Sequence, residues 1–255
     1  MSPLWASVIA VGAISLVSLA GLAMLSLRQS LVRRTLFLLV ALAAGALLGD
    51  AFIHLIPEAF SAVDTTLAAL CVLGGILLFF LLEKYLHWHH SHGDEEYSPE
   101  HARIHPIGNL VLISDGVHNL IDGIAVGAAF MVSTEIGIAT TIAIALHEIP
   151  QEISDFGLLL HAGFSRAKAL FMNFISALTA FAGLALVFWL GEAHAGFVPL
   201  IAAFTAGNFI YIALADLVPE LQKTTEGKRS FIQVAVVLLG IGLMLALSMF
   251  ETLGS

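Results

Sequence analysis

Residues 146–156 read LHEIPQEISDF and residues 118–123 read HNLIDG. Both stretches carry metal-ligating and acid–base side chains at helical spacing. His147 and Gln151 are four apart, as are Glu148 and Glu152, and Gln151 and Asp155. His118 and Asp122 are also four apart, with Asn119 three before Asp122. Residues three or four apart share one face of a helix. Two antiparallel helices with these faces opposed would bring His118, Asn119, Asp122, His147, Glu148 and Gln151 to one point, with Glu152 one turn away. Imidazole suits zinc, iron, copper and nickel, whereas carboxylates and amides accommodate harder ions. No thiolate belongs to the set: the single Cys71 lies in an apolar run and reads as a small buried hydrophobe. That argues against a tight structural zinc site. Weaker, mixed ligation fits an ion that must leave again.

Around these residues the chain is hydrocarbon. Of its 255 residues, 59% are hydrophobic and 11% charged, and the mean hydropathy is +0.96. Such a composition excludes an ordinary soluble domain. Apolar runs of about 20 residues recur, long enough to cross a bilayer as helices. The expected fold is an all-α polytopic membrane protein, one transmembrane domain over residues 1–255. Eight spans are predicted, at 4–27, 35–60, 66–86, 107–131, 136–160, 168–191, 197–221 and 231–251. The first lacks a basic leading region and is too long for a signal-peptide core, so it reads as a retained span. No nucleic-acid partner is expected; the lipid bilayer is.

Orientation follows from the ten Lys and Arg. Arg28, Arg33 and Arg34 follow span one, and Lys84 and Arg103 flank the connection at 87–106. Arg166 and Lys168 follow span five, and Lys223, Lys228 and Arg229 follow span seven. The intervening connections carry none. The positive-inside rule places the four basic connections in the cytoplasm and both termini outside.

The chain also resembles itself. Residues 43–59, AAGALLGDAFIHLIPEA, align without gaps on 205–221, TAGNFIYIALADLVPEL. Gly45, Pro57 and Glu58 recur as Gly207, Pro219 and Glu220, and His54 is matched by Asp216. Span two runs outward and span seven inward, so the repeat is inverted, giving a 3+2+3 arrangement with spans four and five between the halves. Transporters use such repeats, with the substrate at their interface near the midplane.

Asp50, Asp115, Asp122, Glu148, Glu152, Asp155 and Asp216 fall inside spans, and Glu58 and Glu220 near span ends, with no Lys or Arg deep in any span. A buried carboxylate is costly unless paired, neutralised or wet. Such a set calls for a cation from outside: protons, a metal or an organic cation. His54 and Glu58 read as an entry. Asp115, Asp155 and Asp216 read as an exit, with Asp115 and Asp155 alternatively fixing His tautomers. Glu58 and Glu220 are also placed to be solvated helix ends. Pro150 frees a backbone carbonyl near Leu146. In the connection at 87–106, His87, His89, His90 and His92, followed by His101 and His105, suggest transient metal capture on a low-complexity segment.

Together these stretches resemble the ZIP (Zrt/Irt-like) family of metal transporters over essentially the whole chain. HNLIDG is similar to the family's HNxxDG. HEIPQEISDF is similar to the HExPHExGDF of one subfamily, whose second and seventh spans GDAFIHLIPEA and YIALADLVPEL also resemble. The resemblance implies uptake of a divalent metal, zinc first and iron, manganese or cadmium next, across the plasma (inner) membrane. It implies a binuclear centre, with His118, His147 and Gln151 at one position and Asn119, Asp122 and Glu148 at the other, Asp122 being able to bridge the two, and a homodimer. Gln151 stands where the subfamily has His, and Ser154 where it has Gly. Ser176, near Asn173, stands where bacterial relatives often have Glu. Two rival readings exist. HEIPQ approaches the HExxH of a metalloprotease but lacks the second His. A proton-coupled carrier of an organic cation leaves the clustered His unexplained.

Overall fold

The structure, a computed structural model, describes residues 2–20, 29–92, 106–193, 196–223 and 226–254. Among these residues it is helical, with turns and no strand. Helix starts are written in the sequence. Ser2, Ser133 and Ser165 accept from the backbone N–H three residues on, and Asp64 accepts from Thr66 and Leu67, which satisfies N–H groups that a helix leaves unpaired.

Span one is Pro3–Val17 with a tighter turn at Ser18–Ala20; the rest of its predicted length lies outside the described residues. Span two runs through Gln29–Asp50, a wide turn at Ala51–Leu55, and Ile56–Ala62. Span three, Thr65–His92, continues past the predicted end. His87, His89, His90 and His92 therefore stand on helical backbone, while His101 and His105 lie outside the described residues. Spans four and five are Pro106–Val132 and Thr134–His161. Span six is broken into Arg166–Ala177 and Thr179–Ala193. At the break, the Thr179 hydroxyl donates to the Ser176 carbonyl at 2.7 Å and to the Gly116 carbonyl at 2.6 Å; such back-bonding bends helices. Span seven comprises Phe197–Tyr211, a wide turn at Ile212–Leu217, and Val218–Gln222, and span eight is Gly227–Gly254.

Among the described residues, seven helical stretches are long and apolar enough to cross a membrane. Thr134–His161 is long enough but is not one of the seven. The reason is chemical: it carries His147, Glu148, Gln151, Glu152 and Asp155.

The wide turns in spans two and seven have one cause. In each, a proline follows (Pro57, Pro219) that cannot donate to the preceding turn and whose ring crowds the carbonyl four residues back. The backbone responds with a five-residue hydrogen bond, from Ile56 N–H to the Ala51 carbonyl and from Val218 N–H to the Ala213 carbonyl.

Packing repeats too. Span two meets span eight where a Cβ on Gly45 would lie 2.1 Å from the Val237 carbonyl oxygen, and span seven meets span three where a Cβ on Gly207 would lie 2.0 Å from that of Val72. On the partner helices, Gly240 faces the Leu42 carbonyl and Gly75 that of Phe204. Small residues let backbones touch where no hydrophobic force operates between helices in lipid. The main core, including Val11, Leu47, Val126, Ile144, Phe209 and Met244, joins spans one, two, four, five, seven and eight. Spans three and eight are largely exposed, with Leu70, Leu73 and Leu77, and Phe231, Val234 and Leu238, turned outward.

Candidate metal centre

Spans four and five pack against each other and bring four side chains together. One ligand atom each from His118, Asp122, His147 and Glu148 lies within 4.8 Å of all the others, and all four residues are buried. His118 Nε2 is 3.1 Å from His147 Nε2 and 3.3 Å from Glu148 Oε1. It is 3.6 Å from Asp122 Oδ2, and His147 Nε2 is 3.4 Å from Asp122 Oδ2 and 3.5 Å from Glu148 Oε1. Four ligands around one ion at metal–ligand distances of about 2.0–2.1 Å stand about 3.3–3.4 Å apart. The observed separations bracket that value. Asp122 Oδ2 and Glu148 Oε1 are buried without a hydrogen bond, a costly arrangement unless a cation sits between them.

Orientation is set by the helices' own backbone. His147 Nδ1 lies 3.2 Å from the Ala143 carbonyl one turn earlier. A carbonyl can only accept, so Nδ1 carries the proton and Nε2 turns its lone pair to the cluster. Phe79 stands edge-on to His118 at 5.4 Å between centroids, and Phe209 faces His147 at 6.3 Å. These aromatic walls come from spans three and seven and were not legible as site residues in the sequence.

A second group of polar residues sits beside the cluster. Asn119 Nδ2 donates to Asp115 Oδ1 at 2.8 Å, and the Ser176 hydroxyl donates to the other Asp115 oxygen. The Asn173 amide donates to the Glu152 carboxylate and, at 3.3 Å, to the Glu152 carbonyl. Span six thus holds an acid of span four and an acid of span five. Asn119 Oδ1, Glu152 Oε1 and Asn173 Oδ1 remain buried without a hydrogen bond.

A cavity of about 750 Å³ reaches His118 and His147 and is lined by Gln151, Ser154, Asp155 and Asp115. Asp216 and Glu220 line it further along, with Leu36, Leu82 and Leu158 also on its wall. Those last residues belong to the ends of spans two, three and five that adjoin Arg33, Lys84 and Arg166. The cavity therefore opens on the basic side. Gln151, half-buried, and Pro150, inside an unbroken helix, are on its wall.

On the opposite side the polar residues are shut in. Asp50 is wholly buried, with His54 Nδ1 2.9 Å from one oxygen and the Thr140 hydroxyl donating to the other at 2.8 Å. Glu58 is half-buried one turn beyond His54. Thr140 was not singled out by the sequence, being one threonine in an apolar run.

The profile described as "ZIP Zinc transporter" matches residues 1–106 and 89–248. The chain belongs to this family. It is a multi-pass membrane protein. Among ZIP relatives, the chain is 33% identical to "Metal cation symporter ZIP14" of Xenopus tropicalis over 93% of its own length and 68% of the relative's. It is 33% identical to "Zinc transporter YKE4" of Saccharomyces cerevisiae over 82% and 70%. With "Zinc transporter ZIP4" of Mus musculus it is 33% identical over 73% of this chain but only 38% of that longer protein. Against the ligand sets implied by the ZIP resemblance, the cluster cuts across both: it draws His118 and His147 from one and Asp122 and Glu148 from the other.

Proposed function

We propose that this ZIP protein carries a divalent metal ion, zinc foremost, into the cytoplasm across the plasma (inner) membrane. The observation that carries the reading is the convergence of His118, Asp122, His147 and Glu148 at the inner end of a cavity open on the basic side. The metal is cargo, so its ligands must bind it yet release it; the cluster offers imidazoles and carboxylates and no thiolate. Asn119, Glu152 and Asn173 would hold a second ion beside the first, since each keeps a buried oxygen without a partner. The basic side is cytoplasmic and both termini lie outside, supported by the positions of Lys and Arg. The halves form a 3+2+3 inverted repeat, supported by matched wide turns and matched glycine seams. HEIPQEISDF supports membership of the HExPHExGDF subfamily. Its Gln151 favours iron or manganese more than a His there would. The working unit is a homodimer, a reading that rests on the ZIP resemblance.

The decisive experiment is uptake of zinc, iron, manganese and cadmium into proteoliposomes. Wild-type protein moves at least one of them above the His118→Ala background. If it moves none, metal transport is the wrong reading.

A further inference from the structure

Thr140 lies seven residues before His147 on span five, about 10 Å toward the closed side. There its hydroxyl ties span five to span two through Asp50, at 2.8 Å, while His54 engages the other Asp50 oxygen at 2.9 Å. Thr140 and Asp50 are wholly buried and His54 is 4% exposed. A carboxylate in hydrocarbon holds its place only while its oxygens have partners. Thr140 supplies one of them from a different span.

The aligned segment of span seven has no carboxylate at the place of Asp50. With the repeat aligned, Ile212 stands at the place of Asp50, Asp216 at that of His54, and Glu220 at that of Glu58. Both segments have the wide turn and the following proline. Yet Asp216 and Glu220 are exposed and line the cavity, whereas His54 is sealed. Ile212 has no polar atom for a neighbouring span to hold. Among the positions at which the two segments differ, this one removes the carboxylate that span five holds in span two.

We infer that the Thr140–Asp50 hydrogen bond is a latch that keeps the side opposite the cavity shut, and that Thr140 is a positioning residue of the transport cycle. The inference rests on the transporter reading above, because a latch matters only if that side must open. Breaking the bond leaves Asp50 one partner short and favours the arrangement in which the His54 segment faces water, as the Asp216 segment faces the cavity here.

The test uses the full chain in proteoliposomes with Cys71→Ser and a reporter Ala51→Cys beside Asp50, where Ala51 is wholly buried. A membrane-impermeant thiol reagent is applied from the side opposite the basic connections. Thr140→Val is expected to raise the labelling rate about fivefold, the population shift that loss of one hydrogen bond of about 1 kcal/mol produces. Thr140→Ser, which keeps the hydroxyl, is expected to restore protection, which separates a lost latch from a damaged fold. Equal labelling of the Val and Ser proteins would overturn the latch. Wild-type metal uptake is measured in the same vesicles. Absent uptake with latch-dependent labelling would sink the transporter reading alone, and uptake without it would sink the latch alone.

Discussion

Spans two and seven share a sequence pattern, a wide turn closed by a five-residue hydrogen bond, and a glycine seam against a neighbouring helix. Their polar residues nevertheless meet opposite surroundings. His54 is packed away behind Asp50 and Thr140, while Asp216 and Glu220 face a cavity that runs to His118 and His147. Local backbone chemistry is therefore not what decides which half is open. It provides two similar hinged strips, and the side chains that neighbouring spans offer decide which strip is held.

The comparison can be broken most forcefully at the place both strips serve. His118→Ala or His147→Ala should weaken metal binding more than about tenfold and bring uptake to background from either side. An uptake measurement that loses only one direction would mean that the halves do not share a centre. Next in size is accessibility. In Cys71→Ser protein, Asp216→Cys should react readily with an impermeant reagent from the basic side, and His54→Cys should stay protected from that side; matching labelling rates would erase the contrast. The seams come third. Gly45→Leu and Gly207→Leu each force a side chain onto a backbone carbonyl, and overpacking of this kind costs about 1–3 kcal/mol. Their thermal midpoints in detergent should fall by similar amounts, and a fall in one alone would argue against equivalent seams. The smallest effect concerns Gln151, on the cavity wall. Gln151→His should shift zinc-over-manganese competition toward zinc by roughly threefold, whereas unchanged competition would remove Gln151 from the choice of metal.

Much of this was legible before any coordinates. Runs of Leu, Ile, Ala and Val set the spans, and the four-residue spacing within HNLID and HEIPQE put the ligands on facing sides of spans four and five. Spacing offered six candidates for one point, of which His118, Asp122, His147 and Glu148 cluster in the structure while Gln151 lies on the cavity wall. Other features had no sequence pattern to betray them. Nothing in HWHHSH breaks a helix, so span three continues beyond residue 86 through His92. The break at Leu178 depends on Thr179 finding carbonyls in two helices. Phe79 and Phe209 look like any other lipid-facing aromatic until span packing turns them to His118 and His147. Thr140 became visible only through Asp50, ninety residues away in the chain. The side on which the cavity opens was equally hidden, because the repeat makes both sides similar in sequence.

The four residues of the cluster also carry an electrical consequence. Metal-bound imidazoles are neutral, so His118 and His147 add no charge, while ionised Asp122 and Glu148 together carry two negative ones. One doubly charged ion makes the assembly neutral. A sodium or potassium ion would leave one negative charge in a buried, weakly screened place, and a trivalent ion would leave one positive charge. Uncompensated charge costs several kcal/mol in such surroundings. With this cluster as the ion's seat, its two carboxylates would match a divalent charge before ligand softness distinguishes one divalent metal from another.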